Sequence, residues 1–291
     1  MTATPIHIVL TFDANFWAPA YATMRSACLY SHRRTDLQFH LFHRTLDADK
    51  IADLSRIESE FGAKLHWYDL DQSALFDELA ARMPHNRRLT NIVYARLLID
   101  RLLPETVARV LYLDCDVLVR APVEELFDID MDGRSIAAVR DIFGPIIFAG
   151  RDFAENRDLF DVADSYFNAG VVLIDVARWR QRDLPGLIEK LIGSGAMARL
   201  YYDQDLLNIA FARDWLALPP RWNFMDPRPA HEPLDPSIVH FTGDTKPWSL
   251  VSNVAFRRAY RHVMTNELFY RYMRHRWKAW WVKRWRKLTG R

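Results

Sequence analysis

The stretch "VLYLDCDVLVR" (Val110–Arg120) sets two aspartates around a cysteine between two apolar runs. Carboxylates are rarely left where burial is expected, because taking their charge out of water costs several kcal/mol unless a cation or hydrogen bonds compensate. The spacing alone decides nothing, since Asp-x-Asp occurs six times, at Asp47/Asp49, Asp69/Asp71, Asp114/Asp116, Asp128/Asp130, Asp130/Asp132 and Asp203/Asp205. Only Asp114 and Asp116 directly follow a Val-Leu-Tyr-Leu run and directly precede Val-Leu-Val. They therefore mark the carboxyl end of a buried strand, which is where open α/β sheets place their ligands.

Outward from this strand the chain alternates two periodicities. "IHIVLTF" (Ile6–Phe12) reads as a first strand, broken by Asp13, Ala14 and Asn15, with a helix pattern from Trp17. "LQFHLFH" (Leu37–His43) alternates at period two, "ADKIADLSRIESEF" has helical spacing, and "AKLHWYDL" alternates again. A loop containing "MPHNRR" leads to "NIVYARLLIDRLL" (Asn91–Leu103), where Ile92, Ala95, Leu98 and Ile99 share one face of a predicted helix. "VARVLYL" (Val107–Leu113) is the central strand, and "SIAAVRDIF" and "YFNAGVVLIDVARWR" are further strands, the second turning helical near Asp175. "YYDQDLLNIAF" suits a loop entering a helix, and "SIVHFTGDTKPW" (Ser237–Trp248) a short strand running into a Gly/Pro turn. Strands alternating with helices predict an α/β fold with a mostly parallel sheet covered on both faces.

Half of the 291 residues are hydrophobic, enough for a large core, and no apolar run approaches the ~20 residues that span a bilayer. Met1–Pro5 is short and polar, so no signal peptide is expected at this end. Two cysteines, Cys28 and Cys115, offer no disulfide framework and no repeated metal-ligand spacing, which fits a cytoplasmic setting. The charge is divided: residues 269–291 hold nine of the 39 basic residues and none of the 37 acidic ones, so residues 1–268 carry −7 (30 basic against 37 acidic). An acidic body thus bears a basic tail.

Several groups suit one chemistry. Carboxylates at i and i+2 of an extended segment point to one side, so Asp114 and Asp116 could grip one hard divalent cation, Mg²⁺ or Mn²⁺ rather than zinc, with Cys115 pointing away. The alternative is a turn bonded to local backbone donors. Such ions usually reach phosphates, which makes a nucleotide diphosphate the natural guest. "HFTGDTKPW" is no Walker motif, but His240 ends a strand, Gly243 allows close approach and Lys246 offers a point charge to phosphate. Asp203 and Gln204 in "DQD" serve either as a helix cap or as partners for sugar hydroxyls. Asp141 and Asn168 sit beside strands, where turns explain them as well.

Taken in order, "IVLTFDANF", "YARLLI", "VLYLDCDVLV", "YFNAGVVLIDVARWR", "YDQDLLN", "RWNFM" and "HFTGDTKPW" resemble family 8 of the retaining glycosyltransferases, particularly the bacterial lipopolysaccharide α-galactosyl- and α-glucosyltransferases that use UDP-sugars. The match covers roughly residues 6–250. The resemblance implies a GT-A fold, a single Rossmann-like mixed sheet flanked by helices, with residues 1–250 as catalytic domain; residues 251–291, beyond the match, are read from their own composition as a helical, basic, Trp-rich membrane-association segment. It implies Mn²⁺ on Asp114, Asp116 and His240, diphosphate contacts from Gly243 and Lys246, and uridine contacts from Asp13 and Asn15. Arg96, Asp141, Asn168, Asp203 and Gln204 match positions around the donor sugar, with Gln204 beneath the anomeric carbon. The chain departs from the pattern at Ala14, where the family member compared has a second acidic residue. A Pro-rich stretch from Met225 to Pro236 also suggests a reduced acceptor-side loop.

In the tail, "MRHRWKAWWVKRWRKL" places Met273, Trp277, Trp280, Trp281, Trp285 and Leu288 within one wide helical arc, with Arg276, Lys283, Arg286 and Lys287 mostly elsewhere. A basic helix rich in tryptophan suits an anionic membrane surface, the alternative being a helix packed on the acidic body. No nucleic-acid motif is present. The expected enzyme moves hexose from a UDP-sugar to a saccharide or glycolipid acceptor at the inner face of a bacterial membrane. The other readings are a nucleotidyltransferase, which would release pyrophosphate, and a membrane-surface adaptor with a decayed nucleotide site. Truncation after Asn266 is expected to leave donor hydrolysis intact.

Overall fold

The first apolar run forms β1 (Ile6–Asp13), and the computed structural model describes the chain over residues 4–84, 90–142, 159–160, 165–200 and 202–289. Beside β1 lies β2 (Leu37–Arg44), and beside that β3 (Lys64–Asp69), all parallel. On the other side of β1 comes β4 (Arg109–Leu113), also parallel, and then β7 (Phe167–Asp175), which runs antiparallel to β4. β6 (Ile136–Arg140) and β8 (Trp215–Ala217) complete a seven-stranded mixed sheet in the order β3-β2-β1-β4-β7-β6-β8. Because β7 is reversed, its first residues reach the same edge as the last residues of β1 and β4.

Alternation along the strands feeds two cores, one on each face. Ile8, Leu10, Leu111, Leu113, Val171 and Leu173 face one cluster, with Tyr21 of helix α1 (Trp17–Tyr30) and Leu54 and Ile57 of α2 (Ala48–Phe61). Val9, Val110, Tyr112, Val172 and Ile174 face the other, which also holds Ile92, Trp179 and Leu207. Both faces are therefore dry, as the apolar runs required. Helix α2 starts where the Asp47 carboxylate accepts the Lys50 amide at 3.0 Å and stops at Gly62 with φ 70°. That cap accounts for one of the competing Asp-x-Asp pairs, and turn bonds from the Asp71 amide to Asp69 and from the Asp132 amide to Asp130 account for others.

Three features differ from the reading of the sequence. The segment predicted as one helix winds as 3-10 over Asn91–Leu98 before a single α-turn at Ile99–Leu102. Its tighter pitch suits a segment buried on several sides, since Tyr94, Arg96 and Leu97 are enclosed along with Ile92, Ala95 and Leu98. A small second sheet, β5 (Val117–Val119), β10 (Ile238–His240) and β9 (Phe224–Met225), forms beyond the aspartate pair. Finally, the terminal helix (Asn266–Thr289) is rooted in the body: Leu268, Phe269 and Tyr272 are buried in the same core as β1. Truncation after Asn266 would strip these three side chains from the core, which weighs against the expectation that it leaves donor hydrolysis intact. Most of the "MPHNRR" loop lies outside the described residues, as do the side chains of Lys283, Arg286, Lys287 and Leu288.

A histidine ladder crosses β1, β2 and β3. His7 Nδ1 lies 3.0 Å from His40 Nε2, His40 Nδ1 lies 3.0 Å from the Tyr68 hydroxyl, and the His40 and His66 rings stack at 4.7 Å. Burial, with His66 and His7 nearby, pushes His40 down to about 3 from 6.5. The unfolded chain then binds a proton over that interval which the folded chain refuses, so stability falls as pH drops from 6.5 towards 3, by up to about 1.4 kcal/mol per pH unit from this group. Thermal unfolding followed from pH 7 to pH 4 should show a flatter acid limb for His40→Gln than for the parent chain; equal acid slopes would show that the ladder does not set it.

Candidate functional site

Where β4 ends, Leu113 pairs with Val171 of β7, and the Asp114 amide donates to the Gly170 carbonyl at 2.8 Å. Past that bond the chain turns through Asp114–Asp116 and re-enters as β5, which pairs with β10 so that Val117 sits opposite His240. Two sheets thus converge on one point. Asp114 Oδ2 and Asp116 Oδ1 face His240 Nε2 at 3.6 and 3.2 Å, and the ligand atoms of all three residues lie within 4.8 Å of one another. Neighbouring ligands of an octahedral ion with bonds of about 2.1 Å stand roughly 3 Å apart, so one divalent cation fits the trio. Cys115 turns the other way, as expected, its Sγ 3.6 Å from the Thr11 carbonyl.

His240 is aimed by the residue behind it. Its Nδ1 lies 2.9 Å from Asn223 Oδ1, an acceptor, so Nδ1 carries the proton and Nε2 presents its lone pair to two carboxylates. Lone pair against carboxylate is repulsive, and the arrangement requires a proton or a cation between them. Gly170 permits the approach: a Cβ there would lie 2.2 Å from His240 Cε1 and 2.7 Å from Asp114 Oδ2. Asn223 in turn donates to Asn168 Oδ1 at 2.8 Å.

Cations hold the carboxylates in place. Arg96, buried, donates to Asp114 Oδ1 at 2.8 Å and to the Ala169 carbonyl at 2.6 Å, and it stacks 4.1 Å from the centroid of the Tyr112 ring. Its Nε also lies 2.7 Å from Asp203 Oδ2, an ion pair without hydrogen-bond alignment, since neither atom has a hydrogen-bond partner. Burial pushes the Asp203 carboxyl up to about 6, Arg96 opposing and the Asp114 charge adding to the rise. For Asp116 burial acts in the same upward direction, but Lys246, 2.8 Å away, and His240 outweigh it and hold this carboxyl well below the usual range.

The opposite wall is an amide clamp. Gln204, in the first turn of the helix Tyr202–Ala210, donates through Nε2 to Asp141 Oδ2 and to the Tyr166 hydroxyl, both at 3.1 Å. Its Oε1 accepts from the Ala169 amide at 3.1 Å and from Asn168 Nδ2 at 3.3 Å. Asn168 also donates to Asp141 at 3.0 Å. Between the walls lies a cleft of ≈ 740 Å³ whose lining includes Asp13, Asn15, Arg96, Asp114, Asp116, Asp203 and Gln204. Asp13 Oδ1 accepts the Asn15 amide at 2.8 Å, which fixes the turn leaving β1.

The structure therefore gathers Asp114, Asp116, His240, Lys246, Arg96, Asp203, Gln204, Asn168 and Asp141 into one bonded network, and Asp13 and Asn15 line the same cleft. Gly243 stands apart: a Cβ there would meet only Asp226 Oδ1 at 3.6 Å, an ordinary contact, so any need for glycine must come from a ligand. Gly170 and Asn223 were given no role from the sequence, although both lie within quoted motifs. Nor was Tyr112, whose hydroxyl donates to Asp114 Oδ1 at 2.9 Å.

Comparison with known proteins bears on this geometry. The model of the family described as Glycosyl transferase family 8 matches residues 7–251. General stress protein A of Bacillus subtilis (strain 168) is 26% identical over 280 residues, covering 89% of this chain and 93% of that protein. The lipopolysaccharide 1,2-glucosyltransferase of Escherichia coli is 25% identical over 265 residues, covering 86% and 75% respectively. The crystal structure of the galactosyltransferase LgtC in complex with donor and acceptor sugar analogs superimposes with a TM-score of 0.74 at 25% identity, over 89% of this chain and 95% of that one.

The tightness at Gly170 yields a direct check. Gly170→Ala should push His240 from the aspartates and weaken Mn²⁺ binding by about 10- to 100-fold, the range for disturbed ligand orientation, as read by electron paramagnetic resonance titration of free Mn²⁺. Unchanged affinity would mean that the trio does not hold the ion.

Proposed function

The chain belongs to glycosyl transferase family 8, and we propose that it moves a hexose, glucose or galactose, from a UDP-sugar to a saccharide acceptor with retention of configuration and with Mn²⁺ as cofactor. The acceptor would be lipopolysaccharide, lipooligosaccharide or another lipid-linked saccharide. The observation that carries this reading is the trio Asp114, Asp116 and His240, opening on a cleft whose other wall is Gln204 and Asp203. Its likeness to a lipopolysaccharide glucosyltransferase and to a galactosyltransferase supports hexosyl transfer and the acceptor class.

Asp114, Asp116 and His240 would hold the divalent ion, which would supply positive charge against the negative charge that develops on the leaving diphosphate. Mg²⁺ is the alternative with the same oxygen preference. Lys246, fixed between Asp116 and the Phe241 carbonyl, adds a preorganised positive charge for the leaving phosphate, aided on the family's pattern by the backbone at Gly243. Asp13 and Asn15 would receive the uridine, and Arg96, Asp141, Asn168 and Asp203 would surround the sugar. The bond from the anomeric carbon to the β-phosphate oxygen breaks, the acceptor oxygen bonds to that carbon, and the acceptor's proton passes to the departing phosphate.

The clamp on Gln204 bears on how configuration is retained. Its amide oxygen already accepts two hydrogen bonds, so a covalent role would cost both as well as requiring a weak nucleophile to act. A front-face path, with departure and attack on one side of the sugar, leaves the clamp intact and uses Gln204 to position the anomeric carbon.

The terminal helix would hold the enzyme at the membrane. Trp277, Trp281 and Trp285 are 67%, 54% and 59% exposed, and tryptophan beside basic residues suits an anionic interface. No described helix is long and apolar enough to cross a membrane. The proposed site of action is the cytoplasmic membrane surface.

With UDP-glucose or UDP-galactose, Mn²⁺ and no acceptor, the purified protein should release UDP slowly from one of the two donors. Asp116→Asn should lose both this release and Mn²⁺-dependent UDP binding. Retention of both by the variant would remove the metal assignment, and silence of the parent chain with every donor, together with failure to bind UDP, would defeat the reading.

A further inference from the structure

The terminal helix brings Tyr272, His275, Arg276, Ala279 and Trp280 to the cleft. Their spacing of i, i+3, i+4, i+7 and i+8 is one complete face of an α-helix, so the helix forms a wall rather than grazing an edge. Trp277, Trp281 and Trp285 project from other sides. The wall is anchored at its base: the buried Tyr272 donates its hydroxyl to the Asn15 carbonyl at 2.9 Å, and Trp17 packs edge-on against Tyr272 at 5.0 Å and His275 at 4.9 Å. Arg276 sits next to Tyr272, its guanidinium carbon 5.6 Å from the ring centroid.

Charge separates Arg276 from the other cations of the site. The cleft is lined by four carboxylates, Asp13, Asp114, Asp116 and Asp203. Arg96 is held by two of them and Lys246 by a third. Among the described residues Arg276 is the cleft-lining arginine with no carboxylate at ion-pair distance, its contact being Tyr272. Beside the divalent ion and Lys246 of the proposed site, a doubly charged diphosphate entering so acidic a cleft gains from a further cation that no carboxylate already neutralises. The planar guanidinium fork suits phosphate oxygens.

We propose that Arg276 is a donor-binding residue, which reaches from the terminal helix across the nucleoside end of the cleft to pair with the phosphates of the nucleoside diphosphate. This rests on the reading of the cleft as a UDP-sugar site. The Tyr272 bond sets the helix beside Asn15, and Arg276 lies one turn, about 5.4 Å, further along. One face of the helix then completes the donor site while its outward tryptophans remain free for the membrane.

Isothermal titration of the full chain, Arg276→Ala and Arg276→Lys with UDP and with uridine, all in Mn²⁺, tests this directly. Arg276→Ala should weaken UDP about tenfold, the low end for a lost charge-assisted contact, and leave uridine unchanged, with Arg276→Lys recovering part of the loss. Retained uridine binding shows that the variant is folded. Equal UDP affinity for the parent chain and Arg276→Ala, with Asp116→Asn still defective, overturns the proposal and leaves the donor reading standing. Equal losses for UDP and uridine also overturn it, as does a defect confined to cosedimentation with phosphatidylglycerol vesicles, which would assign Arg276 to the membrane face. Absence of UDP binding by the parent chain defeats the donor reading and this proposal with it.

Discussion

One backbone hydrogen bond, from the Asp114 amide to the Gly170 carbonyl, fixes the position from which the rest of the site is built. It is the last rung of the β4–β7 ladder. Because β7 is antiparallel, this rung brings the start of one strand against the end of another, and "FNAG" lands beside "DCD". His240 arrives from the second sheet into the space that a side chain on residue 170 would fill. The trio is thus a consequence of sheet topology as much as of residue type. Among the described residues this is the one group of His, Cys, Asp or Glu side chains with metal-ligand spacing.

Around this point the protein compensates buried charge almost completely. Arg96 spans Asp114 and Asp203, Lys246 faces Asp116, and the amides of Gln204, Asn168 and Asn223 pass hydrogen bonds from Asp141 to His240. Such a network is costly if half satisfied and rigid if complete. Rigidity is what electrostatic catalysis demands, since groups already oriented need no reorganisation as charge develops. Arg96 Nε and Asp203 Oδ2 are left without hydrogen-bond partners, and His240 Nε2 faces two carboxylates. A proton or a cation between them satisfies that contact, and the spacing of the three ligand atoms suits a cation.

Much of this was legible in the sequence, for identifiable reasons. Asp114 and Asp116 stood out because an apolar strand ran directly into them, and β1 to β4 with helices α1 and α2 followed from periodicity. Lys246 was a phosphate candidate from its own motif, but His240 became a metal ligand and Gln204 the group beneath the anomeric carbon only through the resemblance, because nothing local says which distant strand a histidine will meet. Gly170 was illegible for the same reason: its requirement comes from a close approach between β7 and β10. The 3-10 winding of Asn91–Leu98 escaped because a short apolar run fits either helix, and β5 and β9 are too short to show a period. The terminal helix was read as one aromatic arc, but Trp280 belongs with the cleft and Trp277, Trp281 and Trp285 do not.

The central claim is that Asp114, Asp116 and His240 hold a divalent cation that meets the diphosphate of a UDP-sugar. Anomalous diffraction at the manganese edge, from crystals grown with Mn²⁺ and UDP, locates that ion without reference to activity. A single peak within bonding distance of all three side chains and of diphosphate oxygens is the predicted result. Nucleotide bound in the cleft with no peak at the trio, or a peak bonded to other residues, would contradict the account.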